Sequence, residues 1–318
     1  MRLKLIPDDT KIDFMGFRRI AVAFSIVLIV ASLAVTALQG LNFGIDFKGG
    51  IMIEARTEGP ADVGAIRSAV SDLGLGDVAV QGFGAPQDVL IRIGVQEGDG
   101  NAQMQVVGQV EAALQEAIGG IETRRVEVVG PKVSGELVQQ GALAVGLAVF
   151  FMLIYIWLRF EWQFALGAVI ALVHDVVLTI GVFSVTSLEF NLSIIAALLT
   201  IVGYSLNDTV IVFDRIRENL RKFKQMSLAE VLNLSINETL SRTLMTSGTT
   251  LVALVALWAL GGEVIRGFTL AMIWGIVVGT YSSIFIASVL VLRLGVKRDW
   301  SKPDKTGPAG TNFGGAQV

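Results

Sequence analysis

Long apolar runs separated by short charged segments dominate this sequence, and they predict membrane-spanning helices. Six runs meet the requirement of about 20 apolar residues for crossing a hydrocarbon core of about 30 Å. They cover residues 20–38, 136–158, 163–185, 191–213, 244–260 and 268–292. The first run is longer than the apolar core of a signal peptide, which has about 7–15 residues, so we expect it to remain as a span. The pattern therefore predicts an α-helical polytopic membrane protein with six transmembrane helices.

Residues 39–135 have a different pattern, with charges throughout and frequent turn-forming glycines and prolines. Alternating apolar and polar residues predict strands, and apolar residues spaced three and four positions apart predict helices. The strands are predicted at 51–56, 77–83, 89–95 and 122–129, and the helices at 61–73 and 101–118. The resulting βαββαβ order is typical of a ferredoxin-like α+β domain, with two helices on one face of a four-stranded antiparallel sheet.

Lysine and arginine are distributed unequally between the two sides of the predicted bundle, and this bias sets its orientation. Nearly all cations of the short connections fall in residues 1–19, at Arg159, in the 214–224 loop and in residues 293–298. We therefore expect both termini in the cytoplasm and residues 39–135 on the opposite side. An amphipathic helix is predicted within the cytoplasmic segment 214–243. The Gly- and Pro-rich tail, residues 293–318, is expected to be disordered.

Composition narrows the function classes. The 318 residues are 53% hydrophobic and 17% charged, with a mean hydropathy of +0.66, which is too apolar for an ordinary soluble domain. Cysteine is absent and His174 is the single histidine, so we expect neither disulfides nor a dedicated metal centre. Residues 44–50 lack the ending of a phosphate-binding loop, and no basic patch indicates nucleic acid. We expect neither enzyme activity nor a bound cofactor.

The most unusual residue of the apolar runs is Asp208, in the segment VGYSLNDTVIVFDRIREN (202–219). A carboxylate at membrane depth costs about 2.5–3.5 kcal/mol on insertion scales, and such residues usually mark an ion or proton route. The alternative is a structural hydrogen bond to a neighbouring helix, worth about 0.6 kcal/mol, although an amide would serve at lower cost. Function is therefore the favoured interpretation. Tyr204, Ser205 and Asn207 are expected to line the same polar stripe.

Arg242 is the candidate charged partner of Asp208. It precedes the fifth apolar run, where a long side chain can reach into the cytoplasmic half of the bundle by snorkelling. If the two residues pair, protonation of Asp208 would release Arg242 and provide a switch. The alternative is that Arg242 is only a topology anchor of the kind that the positive-inside rule describes.

His174 and Asp175 form a second candidate site, about 11 residues into the third run. A histidine beside a carboxylate at that depth can pass a proton at physiological pH. Adjacent helical positions point about 100° apart, so an inter-helix hydrogen bond is an equal alternative. Small residues around Gly248, Gly275 and Gly279 predict close helix packing without chemistry.

Five segments of the chain resemble the SecF family of bacterial inner-membrane protein-export subunits, in that family's order and spacing. They are GLNFGIDFKGG (40–50), VGPKVSGEL (129–137), FALGAVIALVHDVVLTIGVFS (164–184), VGYSLNDTVIVFDRIREN (202–219) and SRTLMTSGTTL (241–251). The resemblance covers nearly the whole chain. It implies a six-span half bundle of the resistance-nodulation-division (RND) type, with residues 39–135 in the periplasm.

For function, the resemblance implies an auxiliary subunit of the bacterial Sec protein translocase. Such a subunit forms a complex with SecD, and proton flow drives movements of the periplasmic domains that promote late-stage export. The implied partners are SecD, the SecYEG channel with the SecA motor, YajC and YidC as further candidates, the translocating unfolded polypeptide and membrane lipid. The expected coupling ion is H⁺, with Na⁺ as the alternative.

By position, the resemblance gives Asp208 the role of the proton-relay aspartate and Arg242 that of the arginine working with it. It leaves the roles of His174 and Asp175 open. Lys48 departs from the family, which usually has threonine there. Two other function classes stay as alternatives: an RND-type half-transporter for a small molecule or lipid, and a structural membrane scaffold. A single external domain is small for a substrate funnel, and Asp208 disfavours a scaffold.

Overall fold

The computed structural model describes residues 10–96 and 100–296. Residues 297–318 of the tail predicted to be disordered lie outside the described residues, as does Lys4, whereas Arg293 and Leu294 at the start of that tail are helical because they complete the last apolar helix. The helices are α1 (Arg18–Gln39), α2 (Ile45–Lys48), α3 (Val63–Ser71), α4 (Gly100–Ile118), α5 (Pro131–Arg159), α6 (Trp162–Thr186), α7 (Leu192–Lys222), α8 (Leu228–Leu260), α9 (Glu263–Ser282) and α10 (Ser288–Leu294). The strands are β1 (Asn42–Phe43), β2 (Gly50–Thr57), β3 (Val78–Phe83), β4 (Ala85–Ile93), β5 (Ile121–Val129) and β6 (Glu189–Phe190). A π-helical segment, Ser283–Ala287, joins α9 to α10.

Six helices in the described residues are long and apolar enough to cross a membrane, which confirms the predicted number of spans. They are α1, α5, α6, α7, α8 and the continuous stretch Val264–Leu294. We compared the most apolar stretch of 18 residues in each span. In α6, α7 and the last span, 44–67% of this stretch is buried inside the protein, whereas in α1, α5 and α8 only 6–11% is buried. The three buried spans therefore form the centre of the bundle, and most of the buried polar side chains of the spans lie on them.

The fifth span begins much earlier than its sequence pattern predicts. An amphipathic helix within 214–243 and a separate span at 244–260 are expected, but α8 is one continuous helix. Ser227 and Glu230 form a capping box at its start, and no glycine or proline interrupts the predicted junction. The apolar stripe of its first half packs against the end of α7, which itself continues to Lys222.

The α+β domain consists of β2 to β5 with α3 and α4. Its antiparallel sheet has the order β3-β4-β2-β5, and both helices cover one face. In this order the first and third strands of the domain are central and the second and fourth are at the edges, as in a ferredoxin-like sandwich. The core between the layers contains fully buried aliphatic residues, among them Ile51, Ile53, Ile66, Val70, Ile91 and Val110.

A short parallel strand pair connects this domain to the bundle. β1 immediately follows α1, and β6 lies in the connection between α6 and α7. Next to this pair, Asp46 in α2 accepts a hydrogen bond of 2.9 Å from the backbone N–H of Leu192, the first residue of α7. A carboxylate at a helix N-terminus is favourable because the helix dipole and the free N–H groups are positive there. The paired residues are Asn42 with Glu189 and Phe43 with Phe190.

Arg92 of β4 completes this connection from the side of the sheet. Its guanidinium donates to the Asn42 side chain at 2.9 Å, and its Nη2 atom lies 3.6 Å from the Glu189 carboxylate. Burial raises the pKa of the Glu189 carboxyl above its usual range, although Arg92 acts in the opposite direction. Lys48, at the end of α2, is exposed close to this seam. The domain is thus attached to the bundle by a partly buried polar seam.

Candidate functional site

Asp208 lies in the middle of α7 and is only 1% exposed. Its Oδ2 atom accepts a hydrogen bond from the Ser247 hydroxyl of α8 at 3.5 Å, which is at the outer limit for such a bond. Its Oδ1 atom has no hydrogen-bond partner in the described part of the chain. Ser247 is engaged more closely with Thr280 of α9, at 2.8 Å. Asp208 is therefore a buried carboxylate that its surroundings leave poorly compensated.

Asp175 on α6 is fully buried, and its environment is the opposite of that of Asp208. Its Oδ2 atom accepts hydrogen bonds from Ser205 of α7 at 2.6 Å and from Ser282 of α9 at 2.8 Å. Its Oδ1 atom lies 2.9 Å from the Nδ1 atom of His174. Three central helices thus meet at this one carboxylate. The adjacent His174 and Asp175 side chains do contact each other, although the sequence left this open.

The two carboxylates are neighbours across the bundle. Ser205 and Asp208 are three residues apart on α7, which corresponds to a rise of about 4.5 Å. On α9, Thr280 belongs to the surroundings of Asp208 and Ser282 to those of Asp175. A change in the charge of either carboxylate therefore acts on the same two helices.

Tyr281 extends the polar region to α1. Its hydroxyl bonds to the Ala21 carbonyl at 2.8 Å and to the Ser25 hydroxyl at 2.9 Å. Its ring stacks on the His174 imidazole with 6.1 Å between centroids. The π-helical segment begins two residues later, and such segments often occur at functional sites. This contribution of the last span was not predicted, although the hydroxyl run TYSS at 280–283 inside an apolar stretch was a signal for it in the sequence.

Arg242 is not in contact with Asp208, so the hypothetical ion pair is not formed in this structure. Arg242 is exposed at the start of the apolar part of α8. Ser247, which does reach Asp208, lies five residues further along, or about 7.5 Å of helix rise and about 140° around the axis. The sequence argument placed both residues in the same half of the bundle but could not resolve this offset.

The other predicted polar and small residues divide over different faces. Tyr204 is half-buried, with its hydroxyl 3.4 Å from that of Thr250, whereas Asn207 is exposed on the outside of the bundle.

A Cβ atom at Gly275 would overlap Ile201, and one at Gly279 would lie 3.0 Å from Ser205. These two glycines permit close approach of α9 to α7. Nothing described lies within 4 Å of a Cβ at Gly248, so the packing expected there is not present.

Six spans, an attached α+β domain and two buried carboxylates at the centre define a multi-pass membrane protein with an intramembrane polar site. Residues 109–297 match the family described as protein export membrane protein SecD/SecF, C-terminal, and residues 35–61 match the SecD/SecF GG motif. The chain belongs to this family, among its SecF members. Protein translocase subunit SecF of Cereibacter sphaeroides is 51% identical over 98% of both chains, and that of Vibrio alginolyticus is 44% identical over 98% of both.

Solved structures with the same architecture come from the SecDF proteins. The crystal structure of SecDF, a translocon-associated membrane protein from Thermus, is 36% identical with a TM-score of 0.82 and covers 91% of this chain. A SecDF structure in a super-membrane-facing form is 34% identical with a TM-score of 0.63 and covers 90%. This chain spans 39% of the length of either solved chain.

Proposed function

We propose that this protein is an auxiliary subunit of the bacterial Sec translocase that works with SecD. In this proposal the pair uses the proton gradient to move the domain of residues 39–135, and these movements promote late-stage export of an unfolded polypeptide through SecYEG and SecA. The family membership and the SecF relatives support the export role. The solved SecDF chains, which share the architecture of this protein, support a partnership with SecD. YajC and YidC are further candidate partners. No covalent chemistry is assigned to the chain.

The observation that carries the proton mechanism is Asp208. A buried carboxylate with one unpartnered oxygen is strained while ionised, because an unpaired charge in low dielectric loses its hydration without compensation. Protonation removes that strain, and loss of the proton restores it. A group with two such states can bias two arrangements of the helices that surround it. The resemblance of the sequence to the SecF family supports a place for Arg242 in the same switch.

The surroundings of Asp208 favour H⁺ over Na⁺ as the coupling ion. A proton needs one lone pair, whereas hard metal cations take several oxygen ligands, about six in well-studied cases. Among the described residues, the hydroxyls joined to Asp208 by hydrogen bonds are those of Ser247 and, through it, Thr280. This set is small for a metal cation and sufficient for a proton.

The proposed orientation places the protein in the inner membrane with both termini in the cytoplasm and the α+β domain in the periplasm. The cations Arg159, Arg215, Arg217 and Arg293 support it, because all lie at the end of the bundle where α5, α7 and α10 end. The domain lies at the other end, following α1 and preceding α5. A proton gradient across the inner membrane would then act along the bundle axis.

The test is export into inverted inner-membrane vesicles that contain the full complex, with and without an imposed proton gradient. We expect Asp208→Asn to abolish the stimulation by the gradient while still co-purifying with SecD. Asp214→Asn is the matched control, because Asp214 is 41% exposed and pairs with Arg159 at the bundle end; it should keep the stimulation. Full stimulation by Asp208→Asn would refute the mechanism. Recovery of an efflux protein instead of SecD would refute the export role.

A further inference from the structure

A π-helical turn, Ser283–Ala287, interrupts the last span between α9 and α10. In such a turn the backbone N–H bonds to the carbonyl five residues back, so the turn holds one residue more than an α-helical turn. α9 ends at Ser282, directly before it. The turn therefore adjoins Tyr281 and Ser282, through which the last span contacts α1 and Asp175.

Buried serine hydroxyls surround this turn and bond to carbonyls of their own helix. Ser288 donates to the Ser283 carbonyl at 3.0 Å, and Ser283 donates to the Thr280 carbonyl at 3.0 Å. Ser282 donates to the Gly279 carbonyl at 3.1 Å. A hydroxyl rotates about its C–O bond and can follow a carbonyl that changes its backbone partner. The serines can thus keep the carbonyls of a moving turn satisfied, which the interior of a membrane requires because it lacks water.

α6 packs its backbone directly against the turn. A Cβ atom at Gly167 would lie 3.0 Å from the carbonyl oxygen of Ala287 and 3.5 Å from the Phe213 ring. A glycine at a helix contact permits such a close approach of two backbones. A methyl group at position 167 would therefore disfavour the wide turn at its present position.

A π-helical turn moves along a helix when hydrogen bonds to the fourth and fifth residues exchange. A residue that the turn passes rotates by about 100° and shifts by about 1.5 Å, whereas the helix on both sides keeps its position. Two steps towards α9 would carry Ser282 and Tyr281 through the turn. Ser282 would then lose its bond of 2.8 Å to Asp175, and Tyr281 would lose its bonds to Ala21 and Ser25 of α1.

We propose that this turn is a register switch of the last span. It moves between its present position and one within the stretch Thr280–Ser282, and it thereby attaches α1 to the last span or releases it. The proposal rests on the proposed function, since it names the element that passes a change of charge to the domain. α1 leads directly to β1, the strand at the seam with the domain. A release of α1 from Tyr281 therefore reaches residues 39–135 through the chain itself.

The two buried carboxylates bias the position of the turn. Ser282 donates to Asp175, and Thr280 is bonded to Ser247, which contacts Asp208. A hydroxyl bonds more firmly to an ionised carboxylate than to a neutral one. Neutralisation of Asp208 therefore loosens the hold on Thr280 and favours movement of the turn into α9.

The direct test is ¹⁹F NMR of the complex that co-purifies with SecD, in lipid nanodiscs. A reassigned codon replaces Tyr281 alone by 3-fluorotyrosine. In the control sample the label replaces Tyr155, which is 49% exposed on α5. We expect two Tyr281 resonances, whose population ratio changes about ten-fold on Asp208→Asn, and one resonance from Tyr155. A single Tyr281 resonance at the same frequency in both backgrounds would overturn the proposal.

Deletion of Ile284 tests whether export needs the movement. The deletion removes the extra residue, so the turn closes to α-helix while α9 and α10 keep their registers. We expect this variant to assemble with SecD, to give one Tyr281 resonance and to lose gradient-dependent stimulation of export about ten-fold. Full stimulation by the deletion variant would overturn the proposal, because the turn would then be a static feature of the packing.

Gly167→Ala keeps the test decisive if the deletion variant does not assemble. Its methyl group meets the Ala287 carbonyl, so we expect it to shift the two Tyr281 populations about ten-fold away from the present position of the turn. Gly203→Ala on α7 is the matched control, because nothing described lies within 4 Å of the added Cβ atom. Equal populations in the two variants would contradict the switch.

The switch and the proposed function can fail separately. Two Tyr281 resonances that respond to Asp208→Asn, together with full gradient stimulation in Asp208→Asn vesicles, would refute the proton mechanism and leave the switch. One unresponsive Tyr281 resonance, together with an inactive Asp208→Asn variant, would refute the switch alone.

Discussion

Ser205 on α7 donates a hydrogen bond of 2.6 Å to Asp175 on α6, and this contact lies three residues from Asp208. Ser282 of α9 donates to the same carboxylate oxygen. Asp175 thus joins three central helices with all its contacts made, whereas Asp208 keeps one oxygen without a partner. In the proposed mechanism the two carboxylates have different tasks: Asp175 holds the helices in position, and Asp208 responds to a proton.

Replacement of Asp175 by asparagine should weaken the bundle. An asparagine side chain has one oxygen that accepts hydrogen bonds and one nitrogen that donates them. Its nitrogen would face either the two serine hydroxyls or the His174 Nδ1–H, all of which need an acceptor. We expect Asp175→Asn to lower the free energy of unfolding by about 1.5–3 kcal/mol. Denaturation of the purified chain in lipid nanodiscs measures this. Asn207→Ala, at an exposed position, is the control and should change stability by less than about 0.5 kcal/mol. Equal stabilities of the two variants would contradict the holding role.

Gly275 and Gly248 should respond in opposite directions to the same substitution. Gly275→Ala forces a methyl group into Ile201 and should lower stability by about 1–3 kcal/mol. At Gly248 the added methyl meets nothing described within 4 Å, so Gly248→Ala should stabilise the helix by about 0.5–1 kcal/mol. Thermal unfolding in one detergent compares them directly. A stable Gly275→Ala variant would show that α7 and α9 can separate without cost.

The seam between the domain and the bundle should depend on pH through Glu189. Burial raises the pKa of this carboxyl, so the folded state binds its proton more tightly than the unfolded chain does. Its contribution to stability is therefore fully present below the unfolded pKa of about 4.3 and is lost as pH rises through the folded value. Glu189→Gln should remove this dependence on pH. Unfolding of wild type and variant over a pH series provides the comparison.

Arg92→Gln is the complementary change at the seam. It leaves the Glu189 carboxylate without its cation, 3.6 Å away in the wild type, and should cost about 1–3 kcal/mol at pH 7. The cost should shrink when Glu189→Gln is combined with it, because no charge then lacks a partner. Additive effects of the two substitutions would mean that the residues do not interact.

Arg242 should be required for proton coupling even though it does not touch Asp208 in this arrangement. We expect Arg242→Leu to lose gradient-dependent export to the level of Asp208→Asn, because the proposed switch then lacks the cation that responds to the charge of Asp208. Arg242→Lys should retain part of the activity. Arg159→Leu is the control, since Arg159 pairs with Asp214 at 2.7 Å instead. Normal stimulation in the Arg242→Leu vesicles would remove Arg242 from the mechanism.

The bundle and the domain order were readable from the sequence because hydrophobic periodicity reports burial directly. Runs of about 20 apolar residues indicated six spans, and the alternation in residues 39–135 indicated the strands. The continuity of α8 was not predicted, because its polar first half resembles a surface helix. The two-residue strands β1 and β6 were also missed, since they pair residues far apart in the chain and have no periodicity of their own.

The site was predictable in part. Asp208 and Asp175 stood out because a carboxylate in an apolar run is costly wherever it faces. Their different surroundings could not be predicted, because Ser205, Ser247 and Ser282 reach them from three helices whose rotation the sequence does not specify. Serine and threonine are common in spans, where they often bond to their own helix backbone. Only the packing of α7 against α6, α8 and α9 distinguishes the hydroxyls that contact the two carboxylates from these.

The pairing of β1 with β6 also constrains how the protein is made. Glu189 follows Asn42 by 147 residues, so the pair cannot form until the whole domain and two further spans have been synthesised. At translation rates of about 5–20 residues per second, this takes about 7–30 s after Asn42 is added. During that interval the domain can fold on its own local contacts, but the strand pair does not yet hold it on the bundle. The seam is therefore a late assembly step, and errors in inserting α6 should release an already folded domain on a loose tether.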